Sequence, residues 1–159
     1  MSATRHAAAT HHAAAGAAAS DAVSRPAVIG HADTRRTVTP AATMTTLASP
    51  TQGGAAQPVW RVDMGPNASG PAHAIDAQQV WTVLDGGATV EIDGGVVAIS
   101  AGDTLIIPAN ARRRITAHDS GLSAIVVAPA GMRAYAPSVD VSPTCAVPDG
   151  DKLVPAWIV

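Results

Sequence analysis

From Pro58 onward the chain is a run of short, strand-like apolar segments separated by glycine-rich turns. Val59-Trp60-Arg61-Val62-Asp63-Met64 alternates, which puts Trp60, Val62 and Met64 on one face of a strand and Arg61 and Asp63 on the other. Gln79 to Leu84 reads as the next strand, Asp85-Gly86-Gly87 as a turn, and Ala88 to Ile92 as a further strand. Asp93-Gly94-Gly95 is a tight-turn signal ahead of Val96 to Ile99. Thr104 to Ile107, Arg113 to Ala117 and Leu122 to Ala128 complete the set, the last two separated by a turn at His118 to Gly121. Such spacing predicts an antiparallel barrel or sandwich. With Phe absent and few aromatics, Val, Ile, Leu and Ala must fill its core, and Val and Ile favour strands.

The flanks read differently. Residues 1–55 are dominated by Ala, Thr, Ser, Gly and Pro, with Ala7-Ala8-Ala9 and the block Ala13 to Ala19 as low-complexity tracts. Few large apolar side chains are present to offset the entropy of ordering them, so a disordered extension is expected, with Met44 as an alternative start. His6, His11 and His12 read as solvated side chains of that extension. A barrel domain is expected over 56–135. The segment 136–159 is rich in Pro and Asp, and its apolar end, Lys152 to Val159, is expected to dock on the barrel or on a partner subunit.

Within the barrel region two segments stand out. Gly70-Pro71-Ala72-His73-Ala74-Ile75-Asp76-Ala77-Gln78-Gln79 is followed about thirty residues later by Gly102 to Arg113, with Pro108 and Asn110 inside it. The pair resembles the two signature motifs of the cupin family, roughly G-x5-H-x-H-x3-E-x6-G and G-x5-P-x-G-x2-H. His73 keeps the first histidine's place, while Ile75 stands where a second histidine is usual and Gln79 replaces the glutamate. Gly102 and Pro108 match the second motif, Asn110 replaces its glycine and Arg113 its histidine. The resemblance covers about residues 58 to 130 and implies an all-β, cupin-type jelly-roll β-barrel. It also implies a pocket at the barrel mouth into which His73, Ile75, Gln79, Trp81 and Arg113 project, joined by Ile115.

A divalent metal usual in that family needs three or four donors. Ile75 offers none, Gln79 is a weak neutral donor, and Arg113 carries a fixed positive charge that repels a dication. His118 sits at the expected turn on the opposite parity from Arg113. The expectation is therefore a pocket with no metal and no other cofactor. Arg113 would replace the metal electrostatically, His73 would act as general acid or base, and Gln79 would hydrogen-bond the substrate or the imidazole. Trp81, Ile75 and Ile115 would form an apolar wall for a planar ligand. Proton transfer beside a carbonyl, of the isomerase, cyclase or lyase type, on a small organic anion or aromatic molecule is the chemistry this set supports. Two rival readings stand beside it: a non-catalytic ligand-sensing or assembly cupin, and a metal-dependent dioxygenase built on His73.

Net charge is −2, and the one dense basic run, Arg112 to Arg114, lacks interleaved aromatics, so neither nucleic acid nor a membrane surface is an expected partner. No P-loop, dinucleotide-binding glycine fingerprint or C-x-x-C occurs. The single Cys145 excludes an intramolecular disulfide and fits a reducing, cytoplasmic setting. The cupin resemblance implies pairing of copies through exposed sheet edges and swapped end strands, and the apolar end Leu153 to Val159 fits this, so a homodimer is expected.

Overall fold

The computed structural model describes residues 26–136 and 152–159. His6, His11, His12 and Cys145, and most of the Pro/Asp-rich segment, for which expectations are stated above, lie outside these residues. Nine strands are present and no α-helix among the described residues: β1 (Arg35–Val38), β2 (Thr43–Ala48), β3 (Val59–Met64), β4 (Ala74–Ile75), β5 (Gln79–Ile92), β6 (Gly95–Ser100), β7 (Thr104–Ile107), β8 (Arg113–Val127) and β9 (Ala134–Tyr135). The main sheet runs β1-β2-β3-β8-β5-β6, with β7 also paired to β5, and β4 pairs with β9. All the strand pairs are antiparallel. The long, bent β5 and β8 join the two ends of the barrel, the arrangement expected for a jelly roll.

Alternation does the sorting. Trp60, Val62 and Met64 face inward on β3; Gln79, Trp81 and Val83 do so on β5; Arg113, Ile115 and Ala117 do so on β8. At the β5–β6 hairpin Ile92 pairs with Gly95, leaving Asp93-Gly94 as a two-residue loop with both residues at positive φ. That is the turn chemistry the sequence announces, because paired positive φ values match the right-handed twist of the flanking strands.

Two expected turns are instead bulges inside continuous strands. β5 passes straight through Asp85-Gly86-Gly87, and β8 through His118 to Gly121. The register jumps from Gly86↔Leu122 to Ala88↔Ala117, so His118 to Gly121 lie opposite Gly87 alone. Glycine is required where the two bends meet: Gly86 has φ 67°, and a Cβ there would lie 2.1 Å from the Gly121 carbonyl oxygen. The expectation of turns that end the strands is corrected here: at both places the chain bends without reversing, and the strand continues on the far side.

The barrel also begins before residue 56. β1 and β2 lie within the segment expected to be disordered, and β2 pairs with β3 from Thr43↔Asp63 to Ala48↔Val59. Cross-strand hydrogen bonds to a well-packed β3 order a sequence that lacks large apolar side chains of its own. At the other end, Lys152 to Val159 docks on its own barrel. Leu153 exchanges backbone hydrogen bonds with Ala134 at 2.7 and 2.8 Å, Thr46 Oγ1 donates to the Trp157 carbonyl at 2.7 Å, and Ile158 is buried.

Candidate functional site

A cavity of about 580 Å³ opens into the barrel between β2, β3, β5, β8, the approach to β4 and the C-terminal segment. His73, Ile75, Trp81 and Ile115 lie on its wall, together with Met44, Val62, Met64, Tyr135 and Trp157. The lining is chiefly apolar, and its volume falls in the range of small-molecule sites.

His73 reaches the wall from the loop before β4. It is bridged to Arg113 through the backbone in both directions, at 3.0 and 2.9 Å. The imidazole is half-buried, and its Nδ1 lies 2.9 Å from the Pro71 carbonyl oxygen. A carbonyl only accepts, so Nδ1 carries the proton and the neutral ring keeps its lone pair on Nε2. Burial lowers the pKa of His73 below 6.5; the Pro71 hydrogen bond opposes this and the Arg113 charge adds to it. The result is a neutral base at physiological pH.

Arg113 and Gln79 require a correction. Both were expected in the pocket, and both point into the barrel, but neither lines the cavity. Arg113 is 2% exposed and Gln79 is 3% exposed. The guanidinium Nη2 donates to Gln79 Oε1 at 2.8 Å, and Trp81 Nε1 donates to the same oxygen at 3.2 Å. Gln79 Nε2 contacts Met132 Sδ at 3.4 Å. The amide oxygen thus draws the guanidinium beneath the wall that Trp81 forms. Arg113 Nε and Nη1 have no hydrogen-bond partner among the described residues. Burial lowers the Arg113 pKa to about 10, partly offset by Tyr135, so the group remains charged at neutral pH.

Arg112 and Arg114 face outward, as their parity requires, beside Glu91 and Asp93 at an outer groove. His118 packs beside Gly87, with Nε2 at 3.2 Å from Thr89 Oγ1, away from the cavity lining.

A divalent metal does not fit this set of residues. Gln79 Oε1 already accepts two hydrogen bonds, Ile75 has no donor atom, and a dication there would meet the guanidinium. Among the described residues no three His, Cys, Asp or Glu side chains cluster closely enough to share an ion.

Sequence reasoning missed Met44, Tyr135 and Trp157. Met44 sits on β2, inside the segment read as an extension, and the other two arrive from the C-terminal side of the motifs. One signal was available: the chain has three Trp, one Tyr and no Phe, so each aromatic is a scarce feature.

Residues 60–128 match the Cupin_2 family, described as a cupin domain. Among solved structures, a cupin 2 domain-containing protein from Halorhodospira halophila is 21% identical with a TM-score of 0.59, covering 63% of this chain and 72% of its own. The polyketide cyclase RemF from Streptomyces resistomycificus is 19% identical with a TM-score of 0.60, over 75% of this chain and 89% of its own. Oxalate decarboxylase from Bacillus subtilis is 14% identical with a TM-score of 0.58, over 69% of this chain and 31% of its own. No curated protein sequence matches the chain significantly. At these identities the structural likeness establishes the fold.

Proposed function

The chain carries a Cupin_2-type cupin domain within a cupin barrel, and from that premise we propose that it binds a small organic molecule in the barrel cavity and moves a proton on it without a metal. The observation that carries this reading is a 580 Å³ apolar cavity with one imidazole on its wall, held so that Nε2 is the basic nitrogen. An apolar cavity favours a ligand that is neutral and planar over most of its surface, with a carbonyl or hydroxyl as its polar group. The likeness to a polyketide cyclase is in keeping with such a ligand.

The step is a proton transfer. His73 Nε2 takes a proton from a carbon beside a carbonyl, the C–H electron pair becomes the enolate, and the imidazolium returns the proton to the same or another atom. Arg113 acts at one remove, because its charge lies beneath the wall and favours negative charge developing above it. Gln79 holds that charge in place.

The test uses 2-tetralone, a bicyclic aromatic ketone with acidic protons beside its carbonyl. The protein is expected to bind it and to accelerate exchange of those protons for deuterium. His73→Gln should abolish the acceleration and keep the binding. Binding without acceleration would leave a ligand-sensing cupin as the function, a reading favoured by the placement of Arg113 and Gln79 off the wall. Absence of binding would overturn the proposal.

A second copy of the chain is the proposed partner. Edge strand β6 exposes Gly95 to Ala98, with Val96 68% exposed, and it contains no charged residue or proline to discourage pairing. Light scattering is expected to give a dimer mass, and a monomer mass at micromolar concentration overturns this.

A further inference from the structure

The distribution of aromatic residues is uneven. Of three Trp and one Tyr in a chain with no Phe, Trp81, Tyr135 and Trp157 line the cavity, and only Trp60 is spent in the core elsewhere. The rest of the interior is packed with Val, Ile, Ala, Leu and Met. Trp81 belongs to that packed cluster and Trp157 packs against it, so the rings that help fill the interior also form a wall of the cavity. Aromatic rings recognise other rings by offset or edge-to-face contact, worth about 0.5–1.5 kcal/mol beyond the area they bury.

Trp157 differs from the other two in how it is held. It belongs to the short 3-10 turn Ala156–Ile158, outside the barrel strands. Its carbonyl accepts from Thr46 Oγ1 at 2.7 Å. Two residues on, the Val159 oxygen accepts from Ser49 Oγ at 2.9 Å and from Arg35 Nη2. Arg35 is itself fixed on β1 by Gln52 Oε1 at 2.9 Å and Ser49 Oγ at 3.0 Å. The Trp157 indole Nε1 is buried with no acceptor among the described residues, so what this wall offers a ligand is the ring and not the N–H.

We propose that Trp157 is a specificity-determining residue that selects a planar aromatic ligand, and that Arg35, through Val159, is its positioning residue. The inference rests on the cavity reading above and narrows its ligand class. Selectivity arises because a saturated ring system of the same outline fills the same volume but offers no π face to Trp81, Tyr135 and Trp157.

The experiment compares 2-naphthol with decahydro-2-naphthol by isothermal titration calorimetry on the full chain. The parent protein is expected to prefer 2-naphthol at least tenfold. Trp157→Leu keeps an apolar side chain and should reduce that preference at least fivefold, with Trp157→Phe retaining most of it. Arg35→Met should lower the preference and Arg35→Lys should recover part of it, a pattern that general loosening of the fold would not produce. Each variant is compared with the parent by near-ultraviolet circular dichroism, and Trp157→Phe keeps the test valid should Trp157→Leu unfold. Failure of the parent to bind either alcohol overturns the cavity reading itself. Binding of both alcohols with equal affinity, or a preference unchanged in Trp157→Leu, overturns this inference and leaves the cavity reading standing.

Discussion

Arg113 and Gln79 are joined by a 2.8 Å hydrogen bond beneath the cavity wall, and among the described residues no carboxylate pairs with the guanidinium. A charge withdrawn from water without a counter-charge costs several kcal/mol, only part of which one amide oxygen returns. Arg113→Met, with a side chain of comparable reach and no charge, is therefore expected to leave unfolding free energy unchanged or raise it by about 1–3 kcal/mol. Urea denaturation measures this. A loss of several kcal/mol would mean that the guanidinium has a stabilising partner beyond Gln79.

The same substitution should move His73. Burial is the main cause of its lowered pKa, and the Arg113 charge contributes in the same direction. Removing the charge raises the pKa of the imidazole towards 6.5, the ordinary value. Histidine Cε1 proton shifts followed by NMR should show this rise in Arg113→Met.

Stability should depend on pH through His73 as well. Its folded-state pKa lies below the unfolded value of 6.5, so the unfolded chain binds the proton more readily. The contribution is fully present above pH 6.5 and is lost as pH falls through the folded-state value. The slope from this one group is at most about 1.4 kcal/mol per pH unit. His73→Gln should flatten the parent's decline below neutrality in urea melts taken at successive pH values.

Gly86→Ala tests the bend shared by β5 and β8. The new Cβ would lie 2.1 Å from the Gly121 carbonyl oxygen at a φ of 67°. Positive φ alone costs about 1–3 kcal/mol, and the backbone contact adds to it. The thermal midpoint should fall sharply. Gly94→Ala, in the hairpin loop with open space around it, should lose only the conformational part.

A protein begun at Met44 is expected to be damaged. It lacks β1, the Arg35 anchor of the C-terminal segment and the Thr39 to Ala42 wall of the cavity, and it leaves β2 as a bare edge. Size-exclusion chromatography should show aggregation or a shifted mass relative to the full chain.

The sequence by itself determined which residues share a face on β3, β5 and β8 and the Asp93-Gly94 hairpin, because period-two alternation and left-handed turn residues are local properties, while the resemblance of its two motifs to those of cupins implied the barrel and which face turns inward. It also placed His73, Ile75, Trp81 and Ile115 where the cavity wall now stands. Tertiary structure alone decided the rest. That β1 and β2 form depends on β3 offering an edge, and the glycines at 86 and 121 bend strands rather than end them because two backbones cross there. Arg113 lies under the wall rather than on it because Gln79 Oε1 is within its reach, and Trp157 closes the cavity because Thr46, Ser49 and Arg35 hold its segment there. Each of these turns on a contact between residues far apart in the chain, which no local pattern encodes.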